Sequence, residues 1–157
     1  MDKINWCIGK KDGLRLIEPN ANLAEAYTKK AEEALESMRV NLIKDWKIST
    51  AYYTIYFSIY SLLMKIGIRC EIHSCTLEFV KQFLKEYFST EDMTFIEDAL
   101  QARINSQYYV DRTVPDAQYN RLVRETPGFL VKCKSIMPKL TERKIIEIRK
   151  GFQKRMG

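Results

Sequence analysis

Ser49-Thr-Ala-Tyr-Tyr-Thr-Ile-Tyr-Phe-Ser-Ile-Tyr-Ser-Leu-Leu-Met-Lys-Ile-Gly-Ile-Arg-Cys-Glu-Ile-His-Ser-Cys75 is the stretch whose reading decides the fold. From Ala51 to Met64 it carries no charge. Apolar or aromatic residues recur at Tyr52, Tyr56, Ile59, Leu63 and Ile66, and again at Tyr53, Phe57, Tyr60 and Met64. Two adjacent stripes at helical spacing make a helix apolar on most of its circumference. Only neighbours on several sides can cover such a helix, so it belongs in the middle of a bundle. A membrane span is the rival reading, but the uncharged run is too short and too rich in hydroxyls.

Working outward, Gly67 is the expected C-terminal stop of this central helix. Before it, Asn22 with Glu25 three residues on reads as the cap of a first amphipathic helix, with Leu23, Tyr27, Ala31, Ala34 and Met38 on one face. After it, a third helix is expected over about 75–88, and Thr90 followed by Glu91 and Asp92 signals a fourth. A fifth starts near Asp116, where Pro127 either kinks one helix or starts a new one capped by Thr126. Residues 1–19 are read as an extension: Asp12-Gly13 between the apolar runs Ile4–Ile8 and Leu14–Ile17 is a hairpin signal. The resulting expectation is a single all-α domain, an antiparallel up-and-down bundle of about five helices over 20–138. A short hairpin-like extension precedes it and a basic amphipathic helix over 139–157 follows.

The chain has 157 residues, enough to bury a core, and a net charge of +6. Most of that charge lies in the final helix, where Lys139, Arg143, Lys144, Arg149, Lys150, Lys154 and Arg155 face only Glu142 and Glu147. Docking on the bundle, nucleic-acid contact through Arg143, Lys144, Lys150 and Lys154, and a partner-protein or membrane-surface role are the alternatives for it. The opening residues lack an apolar run behind a basic start, so a cytoplasmic protein is expected. Cys7, Cys70, Cys75 and Cys133 are then expected as reduced thiols. Cys70, His73 and Cys75 lie close together, but no fourth ligand is apparent and their spacing matches no common zinc pattern. No metal and no cofactor are expected.

Ala51-Tyr52-Tyr53 through Leu62-Leu63, then Gly67-Ile68, Ile72-His73-Ser74, and later Arg103 with Ser106-Gln107-Tyr108, give the chain a resemblance to the HEPN domain family over about 23–137. That resemblance implies a small helical bundle that forms a homodimer and is often encoded beside a minimal nucleotidyltransferase. In members that cleave RNA, an arginine is followed after four to six residues by a histidine, and two such motifs meet across the dimer to form a metal-independent ribonuclease. Arg103 matches the arginine, but Ile104 is not polar and Tyr108 stands where the histidine is expected. His73, the one histidine, precedes the motif by thirty residues.

Metal-free cleavage needs a group that moves protons near neutral pH, which histidine does readily and tyrosine, with a pKa of about 10, does poorly. Arg103 alone binds phosphate without shuttling protons. The expected function is therefore a non-enzymatic partner subunit that binds nucleotide or RNA, with Arg103, Asn105, Gln107 and Tyr108 as ligand-binding residues. The alternatives are a toxin-type ribonuclease using Arg103, Tyr108 and His73, and a stand-alone interaction domain. The resemblance also implies that Tyr108 or Tyr109 is open to modification by a partner enzyme. Five residues put Arg103 and Tyr108 about 140° apart on a regular helix, so the two are expected to share a face only if the helix ends between them or a second chain contributes.

Overall fold

A computed structural model describes residues 2–157, so Met1, the first residue of the expected extension, lies outside the described residues. Among the described residues the chain forms an all-α bundle with seven α-helices and one two-stranded sheet. The central helix is α3, Lys44–Ile66, preceded by α2, Ala21–Val40. Beyond it come α4 (His73–Phe83), α5 (Thr90–Tyr108) and α6 (Asp116–Ile136). The helix α1 (Lys3–Gly9) opens the chain and α7 (Glu142–Met156) closes it.

Named contacts fix the directions. Asn20 N donates to Met64 O at 3.0 Å and Lys47 Nζ to Met38 O at 2.9 Å, so α2 and α3 are antiparallel. Lys44 Nζ reaches Val114 O at one end of α3, and Lys65 Nζ reaches Met137 O at the other, so α6 runs parallel to α3. Phe95 packs on Phe129 and Asp92 pairs with Lys132, which sets α5 antiparallel to α6. The four long helices thus alternate up and down. Tyr52, Ile55, Ile59, Leu62 and Leu63 of α3 are wholly buried among them. The serine and threonine hydroxyls of the uncharged run are satisfied within α3 itself: Thr54 donates to Thr50 O, Ser58 to Thr54 O and Ser61 to Ser58 O.

Gly67 ends α3 in the left-handed region at φ 91°, as its position requires. The other caps shift by small steps: Asn20 rather than Asn22 caps α2, and Ser89 rather than Thr90 caps α5 in a reciprocal capping box with Asp92. The third helix starts earlier and ends sooner than expected, at Phe83, where Leu84 N still bonds Val80 O. Pro127 lies inside one continuous α6, and Thr126 is internal there, donating to Leu122 O at 2.6 Å. In α7, Ile145, Ile148 and Phe152 are buried as the pattern requires, but Met156 is 46% exposed.

The opening hairpin is a correction. Asp12-Gly13 does turn the chain, with Leu14 N bonded to Cys7 O, but it joins a helix to a strand. Ile4, Cys7 and Ile8 follow helical spacing, and Asp2 caps them through Ile4 N. The strand that follows, β1 (Arg15–Leu16), pairs with β2 (Ile68–Arg69) directly after the central helix. Arg149 of α7 locks this junction, its Nη1 donating to Ile17 O, Ile66 O and Gly67 O.

The expectation of four reduced thiols is likewise corrected: Cys7 and Cys75 form a disulfide that ties α1 to α4, while Cys70 and Cys133 are free and buried. The two cysteines are 68 residues apart, a separation that carries no sequence signal of pairing. A loop of that length makes the bridge stabilising by about 2–4 kcal/mol through the unfolded chain. Thiol titration of the denatured, unreduced protein is expected to count two thiols, and reductant to lower the urea midpoint; four thiols would remove the bridge.

Candidate functional site

The buried stripe of α5, with Phe95, Ile96, Ala99 and Ala102 inward, sets the rotation of that helix. Arg103, the next residue, comes to the edge of the stripe and faces the start of α3. Its Nη2 donates to Tyr53 OH at 2.9 Å and to Tyr108 OH at 3.3 Å, and its Nε to Gln107 Oε1 at 3.1 Å. The guanidinium carbon lies 5.2 Å from the Tyr52 ring centre, 5.1 Å from that of Tyr53 and 5.7 Å from that of Tyr108. Such cation–π contacts contribute about 0.5–2 kcal/mol each, more where water is excluded. No carboxylate pairs with Arg103 among the described residues. Its Nη1 makes no hydrogen bond there either, and no buried side-chain nitrogen lacks a partner, so Nη1 is open to solvent.

His73, the first residue of α4, stands behind this cluster. Its ring stacks on Tyr56 at 4.0 Å and on Tyr52 at 5.7 Å, and Nδ1 is 2.7 Å from Tyr52 OH. Burial, with the nearby charge of Arg103 adding to it, lowers the imidazole pKa to about 4. Burial also pushes the Tyr52 phenol above its ordinary range, with Tyr56 adding to the rise and Arg103 opposing it. At neutral pH both groups are therefore uncharged, and Arg103 is the one charge of the cluster. The arrangement can hold an anion at Arg103, but its neutral imidazole is a poor acid toward a leaving oxygen.

Of the sequence-derived candidates, the fold gathers Arg103, Gln107, Tyr108 and His73 within one chain. The helical-angle expectation fails because α5 runs through Tyr108 and the two long side chains still meet. An angle measured at the helix axis does not limit tips several bonds away. Asn105 lies on the other side of α5, where its Oδ1 accepts from Gln101 Nε2 and Arg112 Nη1. Tyr108 and Tyr109 are 62% and 40% exposed.

The basic residues of α7 are not part of this cluster. Arg149 holds α7 to the far end of α3, and Ile66 is about 20 Å along the axis from Tyr53 at 1.5 Å per residue. Arg143, Lys150 and Lys154 are exposed there without a carboxylate partner among the described residues, whereas Lys144 is paired with Glu86 and Glu147. Sequence reasoning missed Tyr52 and Tyr53 as neighbours of Arg103. They read as core, and a contact across fifty residues has no periodic signature.

Because the chain has a single histidine, its titration is directly readable. The imidazole Cε1–H resonance is expected to titrate near pH 4, and Arg103→Ala to raise that midpoint. The folded pKa lies below the unfolded value of 6.5, so the unfolded state binds the extra proton between them. Stability is then complete above about pH 6.5 and falls toward pH 4 by at most about 3 kcal/mol. A midpoint near 6.5 would contradict the burial of His73 in the tyrosine stack.

No curated protein matches the chain. Residues 24–136 match the sequence profile of the HEPN domain, a span that covers α3, α4, α5 and α6, most of α2, and every residue of the Arg103 cluster. The chain belongs to the HEPN domain family.

Proposed function

We propose that this protein is a non-enzymatic HEPN subunit that binds RNA or nucleotide through Arg103 and acts as a homodimer beside a minimal nucleotidyltransferase. The observation that carries the binding role is Arg103 itself: a guanidinium oriented by Tyr53, Tyr108 and Gln107, free of any carboxylate, with Nη1 open to solvent. Phosphate oxygens match that geometry in charge and in donor spacing. The neutral state of His73 weighs against cleavage, since an imidazole with a pKa of about 4 is a poor acid and a weak base at neutral pH. The nucleotidyltransferase partner and the homodimer rest on the family. The exposure of Tyr108 and Tyr109 supports access by such a partner enzyme.

Wild type, Arg103→Ala and His73→Ala, incubated with RNA in EDTA, test this directly. No cleavage is expected from any of them, and Arg103→Ala is expected to weaken RNA binding by about tenfold or more, the worth of one charge-assisted hydrogen bond. Cleavage by wild type that Arg103→Ala abolishes would instead make the protein a metal-independent ribonuclease.

The exposed stripe of Arg143, Lys150 and Lys154 is proposed as an auxiliary RNA contact. Deleting α7 is an unsuitable test, because Phe152 is wholly buried and Arg149 anchors the end of α3. Neutralising the three side chains leaves that packing in place. The triple alanine variant is expected to lower the slope of log affinity against log salt by about 2, from roughly 0.7 per lost phosphate contact. An unchanged slope would return α7 to a purely structural role.

A further inference from the structure

A second arginine repeats the pattern of the first on the other side of α5. Arg112 lies with its guanidinium carbon 3.5 Å from the Tyr109 ring centre, the shortest cation–ring approach among the described residues. Its Nη1 donates to Asn105 Oδ1 at 3.2 Å, and that oxygen is itself held by Gln101 Nε2 at 3.0 Å. Although Asp111 is its neighbour in sequence, Arg112 has no carboxylate partner among the described residues. Arg112 is exposed, and one ring covers one face of its guanidinium, leaving the other face toward solvent. Each arginine is therefore tethered by an amide of α5, laid against tyrosine and left without a counter-charge.

The two are not adjacent. Arg103 is held by Tyr53, Gln107 and Tyr108, and Arg112 by Asn105 and Tyr109; they share no partner. The Gln101–Asn105 and Arg103–Gln107 pairs lie about 200° apart on α5, so the arginines flank opposite sides of a helix about 10–12 Å across with its side chains. A mononucleotide cannot touch both. A strand with about 3.4 Å of rise per nucleotide where its bases stack, and more where one is swung out, needs about three nucleotides to do so. The flat outer face of Arg112 suits an unstacked base, because bases stack on guanidinium planes as they do on aromatic rings, and a duplex keeps those faces covered.

We infer that Tyr109 and Arg112 form a second contact point for the ligand of Arg103, so that the ligand is a single-stranded RNA of about three or more nucleotides crossing the C-terminal end of α5. Arg103 takes a phosphate and the Arg112–Tyr109 stack takes a base. The inference rests on the proposed RNA-binding role of Arg103.

Fluorescence anisotropy with 5′-labelled oligouridylates, a dinucleotide and an octamer, with a duplex of the same length as the octamer, tests it on the full chain. Arg112→Ala and Tyr109→Ala are expected to weaken the octamer about fivefold to tenfold and to leave the dinucleotide unchanged. Arg112→Lys, which keeps the charge and loses the plane, is expected to retain the salt dependence without restoring affinity. Full affinity in Arg112→Lys would overturn the base stack, and duplex binding as tight as the single strand would overturn the strand. Octamer binding weakened by Arg103→Ala but not by Arg112→Ala would overturn the second contact and leave the Arg103 role standing. Binding indifferent to both variants would overturn the two together. A purely structural Arg112, closing the end of α5 over Tyr109, would lower the thermal midpoint and leave octamer affinity untouched, which would also overturn the inference.

Discussion

The fold depends on keeping α3 out of water along nearly its whole length. Each large apolar side chain buried contributes about 1.5–3 kcal/mol, and α3 carries many, on every side. A helix of this kind cannot lie on a surface, so α2, α5 and α6 close around it. Thr54, Ser58 and Ser61 do not obstruct that burial because each donates to a carbonyl of the preceding turn. Lys44, Lys47 and Lys65, near its two ends, donate their ammonium groups to carbonyls that flank α6 on either side and to one within α2, and so fix the axial position of the neighbours.

That constraint also builds the site. Tyr52 is wholly buried in the core, yet its hydroxyl bonds His73 and the guanidinium of Arg103 approaches its ring. Tyr53, one residue on, turns toward the edge and accepts directly from Arg103. A single helical step at the start of α3 thus separates a residue that holds the core from one that orients the cation. Arg103 gains fixed geometry without a carboxylate that would compete with a ligand.

The twin stripes of α3, the stop at Gly67 and the start of a helix near Asp116 were legible in the sequence because each is set by spacing within one turn or by one residue's backbone freedom, whereas the continuity of α6 through Pro127 was left open. Arg103 and Tyr108 were legible through the family motif. What could not be read there depends on approach in space. Cys7 meets Cys75 across 68 residues, β1 pairs with β2 across the whole of α2 and α3, and Tyr53 meets Arg103 from another helix. The hairpin reading failed for a related reason: Asp12-Gly13 specifies a turn, but not whether the partner strand lies before it or fifty residues away.

His73 and Arg103 constrain one another through charge. Were His73 protonated at neutral pH, two cations would share the tyrosine cluster and the buried one would lack a counter-ion, a state that burial alone makes costly. Keeping the imidazole neutral leaves Arg103 as the only charge of the cluster. On the binding role proposed for it, such a site offers an anion a fixed positive charge beside a neutral imidazole that is a poor acid near neutral pH. Those are properties of a clamp, and in this chain they follow from placing the sole histidine behind two tyrosines of the central helix.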